Sequence, residues 1–315
     1  AYPATFFWKK LSSLWRVWGI TSQLEKEGIE LFHGLSNELP LNIHKSRIKS
    51  IVTIHDLIFL RYPQYYQSID RKIYTYKFRK ACENADKIIA ISECTKRDII
   101  RYFNIPDDKI EVVYQGCDVS FTHPVTEEKK EEVRKKYQLP DHYILNVGSI
   151  EERKNILAAV QALPMLPQHI HIVIVGRRTG YTEKVEQFIK DNGLGERVHI
   201  ISNVPFNDLP AFYQLAEIFV YPSRFEGFGI PIIEALYSGT PVVAATGSCL
   251  EEAGGPDSIY VNPDDITGLA DAFKQIYSNS DKRKNMVEKG REFAKRFSEK
   301  QQSEEIINIY KKLIR

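Results

Sequence analysis

FEGFGIPIIEA, residues 225–235, is the stretch whose reading decides the fold. Gly227 and Gly229 permit a tight turn, Pro231 suits the first turn of a helix, where its missing N–H is not needed, and Glu234 then lies just inside that helix. Immediately upstream, Ile218–Tyr221 reads as a short strand, and downstream Pro241–Ala245 reads as another. Strand, glycine turn, helix and strand in succession make the repeating unit of a parallel sheet. N–H groups at the helix start can hold an anion, while Glu226, just before the turn, faces the same space. Two carboxylates flanking such a turn can each grip hydroxyls on either side of a diphosphate. The plainer alternative, that both glutamates only favour the positive helix end, leaves Gly-Phe-Gly unexplained.

Outward from this unit the same alternation continues. Further strands are expected at Tyr143–Val147, His169–Val175, Arg197–Ile201 and Ser258–Val261, with helices near Asn155–Leu163, Tyr181–Asn192, Asp208–Leu215 and Ser248–Ala253. Asp208 is a plausible N-cap. The first half repeats the pattern with strands at Ile29–Phe32, Ser50–Ile54, Lys87–Ile91 and Ile110–Val113, and helices at Phe6–Glu27, Ile69–Asn84 and Thr95–Phe103. Few strands there imply that an opening β-α portion is absent. Glu127–Tyr137 is a charged helix just past the junction, and the tail ends in a helix from Ser298 with Ile306, Ile309, Tyr310 and Leu313 as one apolar stripe.

The expected architecture is α/β: two Rossmann-like doubly wound domains, residues 1–122 and 123–297, with a helix over 298–315 returning to the first. The 315 residues suffice for two domains. A net charge of +2 is too small to make nucleic acid the default partner. Four scattered cysteines, Cys82, Cys94, Cys117 and Cys249, suggest neither a zinc site nor a disulfide framework, and point to a reduced, cytoplasmic setting.

Ligands of open α/β sheets bind beyond the carboxyl ends of the strands. Those ends here carry Gly148-Ser149 with Glu151, Glu152, Arg153 and Lys154, then Gly176-Arg177-Arg178, Ser202-Asn203, and the turn after Tyr221; in the first half they carry His33-Gly34, His55-Asp56 and Ser92. Glycines allow close backbone approach, and cations suit phosphate. Two facing crevices, one of them anion-loving, would make a two-substrate site.

The E-x7-E element from Glu226 to Glu234, followed by Ala235-Leu236 and Gly239-Thr240-Pro241-Val242-Val243-Ala244, resembles the signature of family 4 retaining glycosyltransferases of the GT-B fold. Val147-Gly148-Ser149 before Arg153-Lys154-Asn155, Thr53-Ile54-His55-Asp56-Leu57, and Ala85-Asp86-Lys87 leading to Ala90-Ile91-Ser92 agree with it in order. The resemblance implies two domains facing across a cleft. It implies that Glu226 meets the donor sugar, Glu234 holds the ribose, and Arg153 and Lys154 neutralise the diphosphate with the amides of Gly227, Phe228, Gly229 and Ile230. Gly148 would let the donor approach, Arg177 would assist, and His55 would lie near the transferred sugar. Glu226, His55 and Lys154 are thus the expected catalytic residues, without a cofactor or bound metal. The donor would be GDP-mannose or a UDP-hexose, and the acceptor a glycan or lipid-linked sugar of cell-surface polysaccharide synthesis.

Two departures stand out. Ser149 occupies a place where many relatives have arginine, and the family's N-terminal glycine-rich loop has no counterpart between Ala1 and Thr53. A nucleotide-sugar epimerase of the same fold and a non-catalytic nucleotide- or sugar-binding protein are the alternatives. Finally, Phe7, Leu11, Leu14, Trp15 and Trp18 share a helical face beside Lys9, Lys10 and Arg16. Such a helix either packs on its own sheet, the plainer outcome, or lies on an anionic membrane at the inner face of the plasma membrane. Charge leans the same way: through Thr122 there are 18 Lys and Arg against 14 Asp and Glu, and beyond it 25 against 27.

Overall fold

The computed structural model describes residues 15–314. The chain forms two compact units, Ala1–Tyr114 with Gln302–Arg315, and Gln115–Gln301. Each is built on a parallel sheet whose strands read as near-continuous apolar runs because both faces are covered.

The first unit holds β1 (Leu31–Gly34), β2 (Lys49–Ile54), β3 (Lys87–Ala90) and β4 (Ile110–Val112), hydrogen-bonded in that order and all parallel. Helix Glu93–Phe103 begins at Ser92, whose Oγ accepts from Thr95 N at 3.0 Å, and ends at left-handed Asn104. The C-terminal helix, Glu299–Ile314, lays its stripe on this sheet: Ile309 is buried with Ile51, Ile89 and Val113, and Ile306, Tyr310 and Leu313 pack around them.

The second unit has six parallel strands: β5 (Tyr143–Val147), β6 (His171–Val175), β7 (Val198–Ile201), β8 (Ile218–Tyr221), β9 (Val242–Ala245) and β10 (Ile259–Val261). Their spatial order is β10-β9-β8-β5-β6-β7. The chain runs from β5 outward through β6 and β7, then crosses back to β8 and proceeds the other way. The reversal falls between β5 and β8, and such a switch point opens a crevice beyond the strand ends. The loops that begin at Gly148 and Pro222 therefore emerge side by side.

Two expectations are corrected below, and by contacts the units divide after Tyr114, where the expected boundary is residue 122. The physical reason is Phe121, wholly buried and edge-on to Phe206 and Tyr213 of the second unit. Asp208 makes no side-chain cap; its carboxylate is taken by Lys129 and Lys136 at 2.8 Å each and by Tyr137 Oη at 2.8 Å. Burial pushes its pKa up, but these partners outweigh that and hold it at about 2. In the opening segment, Phe7, Leu11 and Leu14 lie outside the described residues. A π turn, Trp15–Gly19, precedes helix Ile20–Lys26, so that Trp15 is buried while Trp18 is half exposed and the two do not share a face. No helix among the described residues is long and apolar enough to cross a membrane.

Candidate active site

The loop after β8 is shaped by two anchored rings. Phe225 and Phe228 are both buried, the latter edge-on to Phe297 with ring centroids 5.5 Å apart. Pinning these rings inward leaves Glu226 between them, mostly buried but still reaching the surface. Gly229 then opens helix Ile230–Ser238 at φ 143°, and a side chain there would bring its Cβ to 3.2 Å from Ala253 Cβ. Glycine is needed on both counts. Phe228, expected at the donor, thus offers only its backbone. Cys249 Sγ lies 3.0 Å from Glu226 O and 2.8 Å from Phe228 O, and so laces the turn from beneath. No local signal in the sequence marks a thiol that meets carbonyls in the loop after the neighbouring strand.

The loop after β5 faces this turn. Gly148, at φ 148°, leaves room for Lys154, whose Nζ would be 2.9 Å from any added Cβ. A 3-10 turn, Glu152–Lys154, ends at left-handed Asn155, tied by Nδ2 to Pro263 O at 2.8 Å. Arg224 N donates to Arg153 O at 2.9 Å, which joins the two loops directly.

Side chains complete the junction. Arg153 Nη1 lies 2.7 Å from Glu226 Oε2 and also donates to Phe225 O. Lys154 Nζ is 4.0 Å from Glu226 Oε1 and 3.4 Å from Tyr221 Oη, which itself donates to Glu226 Oε1 at 3.1 Å. The three side chains at the centre are mostly buried, at 12% exposed for Glu226, 14% for Arg153 and 17% for Lys154. Burial opposes the charge on Arg153, but Glu226 more than offsets it and raises the guanidinium pKa. Tyr221, not foreseen as a site residue, is wholly buried and its hydroxyl pKa is pushed far up, first by burial and then by Glu226.

Glu234 sits in the second turn of helix Ile230–Ser238. Tyr213 Oη donates to its Oε2 at 2.7 Å, and burial raises the carboxyl pKa although that hydrogen bond works against the rise. Both carboxylates thus accept from a buried phenol, and Glu226 is also met by Arg153 and Lys154. Arg177 stays on the rim, 78% exposed, 3.7 Å from Glu151 Oε1; that carboxylate also accepts from Ser149 Oγ at 2.6 Å. Arg178 pairs with Glu186 instead.

His55 belongs to the first unit. Its N–H donates to Asn37 Oδ1 at 2.7 Å, and its Nε2 lies 2.9 Å from Leu35 O, which requires the proton on Nε2 and leaves Nδ1 as acceptor in the neutral ring. His33 in the same unit bonds through both nitrogens, Nδ1 to Tyr310 Oη at 2.6 Å and Nε2 to Thr53 Oγ1 at 2.8 Å. Burial lowers its pKa to about 4, so it is a neutral tie between β1, β2 and the C-terminal helix. Among the described residues no group of three or more His, Cys, Asp or Glu side chains is arranged to hold a metal.

Comparison with known proteins gives a consistent picture. The sequence model of a family described as "Glycosyl transferases group 1" matches residues 127–293, and one described as "Glycosyltransferase Family 4" matches residues 1–121. The chain is 31% identical over 289 residues to O-antigen chain mannosyltransferase B of Escherichia coli, covering 90% of this chain and 74% of that protein. It is 29% identical over 225 residues to O-antigen chain mannosyltransferase RfbU of Salmonella typhimurium, covering 71% of this chain and 60% of that protein. Among solved structures, sucrose-phosphate synthase from Thermosynechococcus elongatus superposes with a TM-score of 0.80 at 22% identity, over 99% of this chain and 80% of that one. Anabaena HepE in complex with UDP superposes with a TM-score of 0.81 at 18% identity, over 94% and 81%. At such identities these two structures speak for the fold.

Proposed function

The chain belongs to the glycosyl transferases group 1 family, and from that premise we propose that it moves a hexosyl unit from a nucleoside diphosphate sugar to a glycan or lipid-linked acceptor in cell-surface polysaccharide synthesis, with retention. It is a hexosyltransferase, and its two Rossmann-like units are of the GT-B type. Mannose from GDP-mannose is the preferred donor assignment, because the relatives above are named mannosyltransferases; a UDP-hexose is the competing one.

One observation carries the reading: Glu226, Arg153 and Lys154 converge where the strand order reverses, beside a glycine-opened helix. Arg153 and Lys154 neutralise the charge that grows on the diphosphate as the glycosidic bond breaks, with the amides of Gly227 to Ile230 sharing the load. Gly148 admits the phosphates and Arg177 assists from the rim. Glu226 accepts from the sugar hydroxyls and Glu234 from the ribose, its other oxygen being held by Tyr213. No metal is invoked, since the two cations do its electrostatic work and the leaving diphosphate accepts the acceptor's proton. His55 keeps the role that the resemblance implies.

Glu226→Gln and Lys154→Ala should each lower turnover by about 10²- to 10³-fold in protein that circular dichroism shows to be folded, and EDTA should leave the rate unaltered. Measured hexose transfer at wild-type rates in both variants removes the site assignment. His55→Ala belongs in the same assay.

A cytoplasmic protein peripheral to the membrane fits one further surface. Helix Ser68–Asn84 exposes Ile69, Ile73 and Tyr76 beside Arg71 and Lys72, an apolar stripe edged with cations of the kind that lies on anionic lipid. Co-sedimentation with phosphatidylglycerol vesicles should fall in an Ile69→Ser/Ile73→Ser variant; equal binding to neutral and anionic vesicles counts against the surface.

A further inference from the structure

The donor-site reading leaves one feature unexplained. The cation assigned to the diphosphate is already engaged by carboxylates. Arg153 Nη1 sits 2.7 Å from Glu226 Oε2, its Nη2 is 3.6 Å from Glu151 Oε2, and Lys154 leans toward the other oxygen of Glu226 at 4.0 Å. With Arg177 on the rim 3.7 Å from Glu151 Oε1, three cations face two carboxylates, and the shortest of these pairs is Arg153 with Glu226. A diphosphate entering the pocket adds negative charge and must compete with Glu226 for the same guanidinium. Arg153 Nη1 faces both Glu226 Oε2 and Phe225 O, so a phosphate oxygen that takes this nitrogen displaces one of them.

We propose that Glu226 is the internal occupant of the diphosphate site, exchanging Arg153 for the sugar hydroxyls when donor binds and reclaiming Arg153 after transfer, so that the bare nucleoside diphosphate is expelled. The proposal rests on the donor-site reading and adds a direction to it. An intact donor compensates Glu226 for the lost cation, because the sugar supplies hydroxyl donors. The product does not: its diphosphate takes Arg153 and leaves a mostly buried carboxylate with the Tyr221 hydroxyl and the more distant Lys154 as its only partners. The site thus discriminates donor from product through one side chain that touches both. Tyr221 limits how far Glu226 travels, since its hydroxyl stays within 3.1 Å of Oε1 and gives the carboxylate a pivot.

The test is isothermal titration of the full chain, without acceptor, against GDP, UDP, ADP and dTDP and against GDP-mannose and UDP-glucose. Glu226→Gln keeps the shape and removes the competing charge, so the nucleoside diphosphate that binds should do so about fivefold or more tightly, while the matching nucleotide sugar gains less or loses. Glu226→Asp, which keeps the charge but shortens the reach, should show a smaller gain and serves if the glutamine variant folds poorly. In an Arg153→Ala background the gain from Glu226→Gln should vanish. A gain of equal size there would mean only that a negative charge had been removed, and would overturn the exchange. Unchanged or weaker diphosphate binding in both Glu226 variants, with Arg153→Ala still weakening it, overturns the exchange and leaves the donor site standing. Wild-type diphosphate affinity in Arg153→Ala and Lys154→Ala alike removes the donor-site reading and the exchange with it.

Discussion

Glu226 and Glu234 stand on one short motif yet meet different environments, and the difference is not local. Glu226 is surrounded by Arg153, Lys154 and Tyr221, whereas Glu234 is set against Tyr213. Their presence was legible because two carboxylates bracketing a glycine turn have few structural uses. Their partners were not, since Tyr213 and Tyr221 read as ordinary strand and helix residues. Asp208 shows the same limit from the other side: its place before Leu209 signals a cap, but Lys129, Lys136 and Tyr137 are stronger partners than the helix amides. His33 yields a prediction at this scale. Its folded pKa, about 4, lies below the ordinary 6.5, so the unfolded chain binds its proton more readily. Its contribution is therefore complete above pH 6.5 and is lost as pH falls toward 4. Urea midpoints measured between pH 8 and pH 4 should drop more steeply for the wild type than for His33→Gln; parallel curves would show that His33 is not the titrating tie.

Among elements, strands and helices were the most readable, because a buried parallel strand must be an apolar run and a surface helix must carry a stripe. The six expected runs of the second half are all strands. The opening helix was not so readable: a π turn resets the helical phase, and a wheel drawn at constant pitch then mixes buried Trp15 with exposed Trp18. The C-terminal helix offers the sharper test. Ile309 is its buried residue and Ile307, 45% exposed, points away from the sheet. Ile309→Ala should cost about 2–4 kcal/mol of unfolding free energy, and Ile307→Ala less than about 0.5 kcal/mol, both read from denaturant curves. Equal effects would mean that the stripe does not bear the packing.

At the scale of the whole molecule, the division of the chain decides what can stand alone. Phe121 belongs to the second unit, against Phe206 and Tyr213, and Tyr213 in turn holds Glu234. A segment covering residues 115–301 should therefore fold and melt cooperatively, whereas residues 123–297 should melt lower, having lost Phe121 from the aromatic cluster that supports the donor carboxylate. Differential scanning calorimetry of the two segments checks this, and coincident melting temperatures would count against the boundary.

By itself the sequence determined the α/β class, the alternating elements, the family and the residues at the strand ends, because periodicity, turn chemistry and a spaced carboxylate motif are properties of neighbours along the chain. Only the tertiary structure decided which strand ends adjoin. The switch between β5 and β8 brings Arg153 and Lys154 to Glu226, and the pairing of β9 with β8 sets Cys249 under the glycine turn. Strand order is a contest among whole crossovers for one buried sheet, and no local stretch of sequence carries its outcome.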